Sequence, residues 1–314
     1  MRQAGSIGEY PGRGGGDLSF SCMTTASPTR ARHRRAWVRI FLGGLALWIA
    51  TCVVTFITLN PNLVPTLILI GSFLVPVTFV AYAFEHRASD TLTEQTIFVG
   101  FVYGGVLGVL GASLLESWLL GLSNLGYLGV GLIEEGVKLA ALWWIARRLH
   151  TYIVRDGIVL GATVGFGFAA FESAGYAFNA LFTMHGLSLG GVVETEVLRG
   201  ILTPVGHGLW TGIMGGVLFH AARNGRLRLS LGVVVWYLVV SGLHAFWDAA
   251  GGLAAIVVLI LTLNSMQAQL LQLGHLPQPT QQQAFLFTVV TWAFLLLDAL
   301  VGVGLLWAWS RRRS

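Results

Sequence analysis

Glutamate and lysine side chains occur together in the middle of an apolar segment, where ionised groups are rare. The sequence there reads Glu134-Glu135-Gly136-Val137-Lys138. Glu134 precedes Lys138 by four residues, which is the favourable order for an ion pair on one face of a helix. A purely structural pair needs only one glutamate. The second carboxylate therefore indicates a site that retains a proton or recruits a cation.

The next three apolar segments also carry acidic or imidazole side chains. Glu172 follows Phe168 by four residues, and His207 stands alone in the next segment. His244 precedes Asp248 by four residues, so both can bind one metal ion, or Asp248 can orient His244. An ionised residue costs roughly 2.5–3.5 kcal/mol at the centre of a membrane helix. Such residues require partners, and we expect them to form a functional site.

The donor set indicates a metal and a type of reaction. Two histidines, up to four carboxylates and few thiols suit a divalent ion, of which zinc is the best match. A catalytic zinc binds three protein ligands and a water, and a neighbouring glutamate can act as general base. The set therefore predicts peptide-bond hydrolysis within a bilayer. The sequence has no HExxH and no paired Gly-Asp motif, so the common zincin and aspartyl designs are unsupported.

Composition shows that these segments belong to a membrane protein. Of the 314 residues, 55% are hydrophobic and only 11% are charged, with a mean hydropathy of +0.73. A soluble domain carries roughly 25% charged residues, so a soluble enzyme and a nucleic-acid binder are excluded. Backbone groups in lipid must bond within their own segment, which favours helices. We predict an all-α, polytopic membrane protein whose surroundings are the lipid bilayer.

About eight transmembrane helices are predicted, because eight apolar segments approach the roughly 20 residues that a crossing requires. They are residues 37–59, 63–84, 97–115, 125–146, 157–182, 200–221, 229–250 and 284–309. Residues 253–263 are too short to cross alone, and predict an extension of the preceding helix or a re-entrant piece. Residues 264–283 predict an exposed loop. Two domains follow: a disordered basic cytoplasmic tail (1–36) and one transmembrane domain (37–314), with the catalytic helices at about 125–250.

The distribution of basic residues predicts the orientation. Nearly all of the 19 lysines and arginines fall in the two tails and in the loops that follow the second, fourth and sixth predicted crossings. Arg199 is the exception and is placed in an outer loop. The positive-inside rule then predicts a multi-pass protein of the plasma membrane with both termini cytoplasmic. Counted at about 1.5 Å of rise per residue, four side chains lie at similar depths in the outer half of the bilayer: Glu134, Glu172, His207 and His244.

The four patterns together resemble a known family. Residues 134–138 are similar to the EExxK motif of the PrsW family of intramembrane metalloproteases. Residues 168–172 resemble its FxxxE motif, His207 its isolated histidine, and residues 244–248 its HxxxD motif. The resemblance covers about residues 97–264. It implies a metal-dependent, glutamate-type protease that acts on membrane proteins.

Two residues favour this family over its relatives, the CAAX prenyl endopeptidases and the bacteriocin-processing membrane proteases. Those relatives usually have arginine in the first motif, where this sequence has Lys138. They usually have histidine in the second motif, where this sequence has Glu172. Both positions match the PrsW pattern.

The leading hypothesis is an intramembrane metalloendopeptidase that cleaves membrane-protein or peptide substrates near the outer half of the bilayer. In the catalytic group, Glu134 is the general base, Glu135 assists it or binds the metal, and Lys138 is the charge partner. The metal group has Asp248 as a ligand or an orienter. The other predicted ligands of the metal, expected to be zinc, are Glu172, His207 and His244.

Two alternatives remain at this point. A transporter or proton-coupled channel could use the same buried acids as a relay, although no inverted repeat is visible in the sequence. An inactive family member could serve as a membrane scaffold that only binds partners.

Overall fold

The computed structural model describes residues 35–120, 126–184 and 186–311, and these residues are almost entirely helical. The predicted tail, residues 1–36, lies outside the described residues except at its last two positions. The α-helices are α1 (Ala36–Thr58), α2 (Val64–Glu85), α3 (Glu94–Leu119), α4 (Gly126–Ala146), α5 (Val154–Ala180), α6 (Leu189–Leu202), α7 (His207–Ala221), α8 (Leu231–Thr262), α9 (Ser265–Gln272) and α10 (Gln281–Arg311). Two short antiparallel strands, β1 (Phe182–Thr183) and β2 (Gly186–Leu187), connect α5 to α6.

The helices have the lengths and composition of membrane crossings. Seven helical stretches among the described residues are long and apolar enough to cross: α1, α2, α3, α5, α6 with α7, α8, and α10. Helix α4 has 21 residues, enough to cross, but carries the charged residues Glu134, Glu135 and Lys138. The prediction of an all-α, polytopic membrane protein with about eight crossings is therefore confirmed.

The predicted sixth crossing differs from the observed one, because it is built from two helices. Helix α6 begins at Leu189, well before the predicted start at residue 200, and ends before a 3-10 turn at Thr203–Val205. Pro204 lies in this turn, and its ring and missing N–H prevent the helix from continuing. Gly206 follows, and α7 starts at His207. The break places His207 at a helix terminus, next to irregular backbone.

The segment after Gly252 continues α8 as a helix to Thr262, so the predicted extension is observed and the re-entrant alternative is not. The predicted loop at 264–283 is wrong in part, because it contains α9. Gln267 of α9 and Gln283 of α10 are buried and exchange two amide hydrogen bonds of 3.0 Å. The two side-chain amides satisfy each other's hydrogen-bonding groups, which explains how two polar residues can be buried here.

Glycines bring the helices of the centre into backbone contact. A Cβ atom at Gly161 of α5 would lie 2.2 Å from the carbonyl oxygen of Thr211 in α7, and one at Gly165 would lie 2.2 Å from that of His207. Similarly, a Cβ at Gly131 of α4 would lie 2.5 Å from the carbonyl oxygen of Ser241 in α8. Small residues permit such close packing in membranes. These contacts bring α5 against α7 and α4 against α8. The predicted site residues lie on these four helices.

Candidate functional site

Lys138 lies at the centre of the polar cluster and is completely buried. Its Nζ lies 3.0 Å from Glu134 Oε2, 2.8 Å from Glu135 Oε1 and 2.8 Å from His207 Nδ1. An ammonium group has three N–H donors, and these three contacts can use all of them. The ammonium also lies 4.0 Å from the centre of the Phe168 ring. One residue thus connects the first, second and third sequence patterns.

His244 is held between carboxylates on both sides of its ring. Its Nδ1 lies 3.0 Å from Glu135 Oε1. Its Nε2 lies 3.5 Å from Glu134 Oε2 and 3.4 Å from Asp248 Oδ2. The indole of Trp210 stacks on the imidazole, with the ring centres 4.9 Å apart. The ring of His244 is therefore fixed in one orientation, with Nε2 directed at Glu134 and Asp248.

His207 repeats this arrangement on the other side of the cluster. Its Nε2 lies 3.0 Å from Glu172 Oε2, and its Nδ1 lies 4.0 Å from Glu134 Oε2. Both histidines thus have one nitrogen on a carboxylate. The other nitrogen of His244 is directed at Glu134 and Asp248, whereas that of His207 contacts Lys138 Nζ at 2.8 Å and lies farther from Glu134. Histidines that bind metals are usually oriented in this way by a carboxylate or carbonyl on the second nitrogen.

The donor atoms fit a divalent metal ion. Glu134, His207 and His244 each offer one ligand atom, and these atoms lie within 4.8 Å of one another. The ligands of a tetrahedral zinc, at about 2.0–2.2 Å from the metal, are about 3.3–3.6 Å apart. The contacts of His244 Nε2, at 3.4 and 3.5 Å, match this spacing, whereas those of His207 are somewhat longer. Among the described residues, Glu135 Oε2 is buried without a hydrogen-bond partner, so the cluster can accept more positive charge.

A small polar cavity reaches the cluster. It has a volume of about 70 Å³, and its polar walls are Glu172, Tyr176, Arg199, His207 and Asp248. A single water requires roughly 10–15 Å³, so the cavity can admit water. Water can therefore reach His207 and Asp248, whereas Glu134 and Glu135 do not line this cavity.

The comparison with family models agrees with this geometry. A model described as PrsW family intramembrane metalloprotease matches residues 92–273. The chain belongs to the PrsW family of intramembrane metalloproteases. The family resemblance predicted from the four sequence patterns is confirmed. No curated protein and no solved structure matches the chain.

The PrsW match extends from the start of α3 to the end of α9. It includes all seven side chains that the sequence analysis selected, and the structure brings them into one connected cluster through the contacts above. Helices α1, α2 and α10 lie outside the match. The elements that position the cluster are therefore those of the PrsW region.

Sequence reasoning missed one member of the site, Arg199, which it placed in an outer loop. This placement is wrong, because Arg199 lies on α6. Its Nη2 donates to Glu172 Oε2, and its Nε donates to Ser173 Oγ at 2.7 Å. Arg199 is the exception to the cytoplasmic bias of basic residues, and this exception was the available signal.

Glu196, which precedes the predicted sixth crossing at residues 200–221, is buried on α6. It is 5% exposed and accepts a hydrogen bond of 2.7 Å from Trp48 Nε1 of α1. Its carboxyl group lies against Gly71 of α2, where a Cβ atom would come within 2.3 Å of it. Glu196 and Arg199 thus connect α6 to different neighbours: α1 and α2 on one side, and α5 on the other.

Proposed function

We propose that this PrsW family member is an endopeptidase of the plasma membrane. It hydrolyses peptide bonds of membrane-protein substrates in the outer half of the bilayer, with zinc as its metal. One observation carries the proposal: His244 has Nε2 at 3.5 Å from Glu134 and Nδ1 on Glu135, and His207 beside it has Nε2 on Glu172. This arrangement suits metal ligation and serves no evident purpose in a structural ion pair.

The residues that would hold the metal are Glu134, His207 and His244. His244 would bind through Nε2, and His207 through Nδ1, which would exchange its contact with Lys138 Nζ for the metal. A metal bound there would polarise a substrate carbonyl and acidify a water molecule. Glu135 accepts the proton of His244 Nδ1 and thereby fixes the tautomer that leaves Nε2 free. Lys138 balances the charge of the two adjacent glutamates. These assignments follow the atoms that face one another in the cluster.

Glu172 orients His207 in this proposal, in place of the ligand role that the sequence suggested. Its oxygen contacts Nε2, the imidazole nitrogen that is not directed at Glu134. It also accepts a hydrogen bond from Arg199. A carboxylate with these two partners acts best as an acceptor that fixes the His207 ring.

Asp248 is the best placed residue to accept a proton from water. It lines the cavity, and its side chain is 27% exposed, compared with 9% for Glu134. Glu172 also lines the cavity, but its Oε2 is engaged by Arg199 and His207. We therefore assign Asp248 as general base, and Glu134, the base suggested by the sequence, as a ligand. Geometry is considered first in choosing a base, and only Asp248 combines water access with proximity to His244 Nε2.

Metal analysis of the purified protein tests the proposal. The wild type is expected to hold about one zinc per chain, and His207→Ala and His244→Ala are expected to lose it. His275→Ala is the matched control, because His275 is exposed and far along the chain from the cluster. A wild type that holds no metal after zinc loading, or one that loses metal equally in the control, would refute the proposal. A metal-free protein that moves protons across vesicles would support the transporter alternative.

A further inference from the structure

Arg199 is fixed by three side chains of α5, those of Glu172, Ser173 and Tyr176. Its Nη2 donates to Glu172, its Nε donates to Ser173 Oγ at 2.7 Å, and its guanidinium carbon lies 4.3 Å from the centre of the Tyr176 ring. The planar guanidinium has five N–H donors in a rigid fork, so these contacts determine its direction. Its position is thus set by α5, without any contact to His244 or Glu134.

Two hydrogen bonds connect Arg199 through Glu172 to His207, a proposed metal ligand. Glu172 Oε2 accepts from Arg199 Nη2 and lies 3.0 Å from His207 Nε2. The same oxygen therefore contacts both side chains. If Arg199 were absent, Glu172 would retain the contact to His207 but lose the donor that fixes its carboxylate plane.

The backbone around Arg199 adds to this restraint. Thr203 Oγ1 donates to the carbonyl oxygen of Arg199 at 2.5 Å, at the end of α6 and immediately before the break. Four residues later, α7 begins with His207. The side chain of Arg199 therefore contacts Glu172, which contacts His207, and the backbone after Arg199 leads to His207 as well.

We propose that Arg199 is a positioning residue of the metal centre. By fixing Glu172, it fixes the orientation and tautomer of His207, so that Nδ1 is presented to the metal. The inference rests on the proposed function, because it takes His207 as a ligand. Replacing outer partners of metal ligands typically weakens metal binding or activity about 10–100-fold, and we expect Arg199→Met to fall in this range.

Cobalt affinity of the full-length protein, purified and stripped of metal in detergent, provides the test. The dissociation constant for Co²⁺ is measured by competition with a coloured chelator, without any substrate. Arg199→Met is expected to weaken binding about 10–100-fold, and Arg199→Lys less, because it keeps one charged donor. Glu194→Gln is the matched control, since Glu194 is an exposed acid of the same helix, and it should bind like the wild type.

A second pair of variants separates positioning from general destabilisation. If Arg199 acts through Glu172, Arg199→Met should weaken Co²⁺ binding no further when Glu172→Gln is already present. Multiplying effects, or an Arg199→Met affinity equal to that of the wild type, would overturn the inference. If Arg199→Met does not fold, the same comparison is made with Arg199→Lys. A wild type that binds no Co²⁺ refutes the proposed function itself, whereas normal wild-type binding with an unaffected Arg199 variant refutes only the role of Arg199.

Discussion

The acidic residues of the cluster differ in how many cationic side chains they contact, and we infer the role of each acid from this difference. Lys138 contacts both Glu134 and Glu135, so one ammonium serves two carboxylates. Glu172 forms an ion pair with a different cation, Arg199. Asp248 instead faces an imidazole and the water-accessible cavity. A metal ion at Glu134 would supply the positive charge that the two glutamates lack.

The distinction between ligand and base can be tested with two isosteric variants. Glu134→Gln is expected to lose most of its metal, because a neutral amide is a weak metal ligand. Asp248→Asn is expected to retain the metal but lose proteolysis by about 100-fold or more, since general-base catalysis typically contributes 10²–10⁴-fold. Metal content and cleavage of a single-span reporter are measured on the same preparations. Full metal retention in an inactive Glu134→Gln protein would instead restore Glu134 as the base.

Lys138 is expected to be essential for stability in the absence of metal. Lys138→Met leaves Glu134 and Glu135 buried without their cation, and breaking a buried pair from one side costs about 3–5 kcal/mol. The free energy of unfolding in mixed micelles with chelator present measures this. The double variant Lys138→Met/Glu135→Gln is the control and should recover part of the loss. Wild-type stability of Lys138→Met would contradict the role assigned to this ammonium.

At the scale of the elements, the site depends on two close helix pairs and one broken crossing. Gly161 and Gly165 bring α5 against the backbone of α7, and Gly131 brings α4 against α8. The 3-10 turn that contains Pro204 then orients the start of α7. Each of these features controls the distance between side chains on different helices.

A methyl group at the α5–α7 contact should therefore disturb the site. The Cβ atom of Gly161→Ala would meet backbone at 2.2 Å, which only a shift of α5 or α7 can relieve. Overpacking typically costs about 1–3 kcal/mol, and we also expect weaker metal binding, because Glu172 and His207 move apart. Gly175→Ala is the control on the same helix, since no atom lies within 4 Å of its added Cβ. Equal effects of the two substitutions on unfolding and metal affinity would contradict this explanation.

The sequence predicted the apolar helices well, because length and hydropathy report on them directly. It also selected the seven side chains, because charges within apolar segments are conspicuous. It did not predict the break before His207, although Pro204 was visible, because an apolar run does not show where a helix changes direction. The burial of Glu196 was missed for a related reason: its partner, Trp48, is 148 residues away. Arg199 was misplaced because the predicted sixth crossing started at residue 200, whereas α6 starts at Leu189.

The whole molecule has a topology that remains a prediction. With α4 as a crossing and α6 with α7 as one, the helices number eight crossings, and an even number returns the C-terminus to the side of the N-terminus. The basic residues of the connections after α4 and α7 predict that this side is the cytoplasm. The depths of His207 and His244 were counted from crossings that start at residue 200 and end at residue 250, whereas α6 starts at Leu189 and α8 ends at Thr262. The location of the cluster in the outer half of the bilayer therefore stays a prediction.

Cysteine labelling of intact cells tests this orientation. In a background with Cys22→Ser and Cys52→Ser, Leu276→Cys between α9 and α10 should react with a membrane-impermeant maleimide. Leu229→Cys, between α7 and α8, is the control and should react only after permeabilisation. Both leucines are exposed, at 89% and 67%, so accessibility differs only by side. The opposite pattern would invert the topology and move the site to the cytoplasmic half.

We propose that this PrsW family member cleaves peptide bonds with a metal held by its two histidines. The most direct test is the cleavage of a membrane-embedded reporter by purified protein in lipid vesicles, before and after metal removal. We expect cleavage that a chelator abolishes and added zinc restores in the wild type, while His244→Ala stays inactive under all conditions. Cleavage that persists without metal, or in His244→Ala, would contradict it.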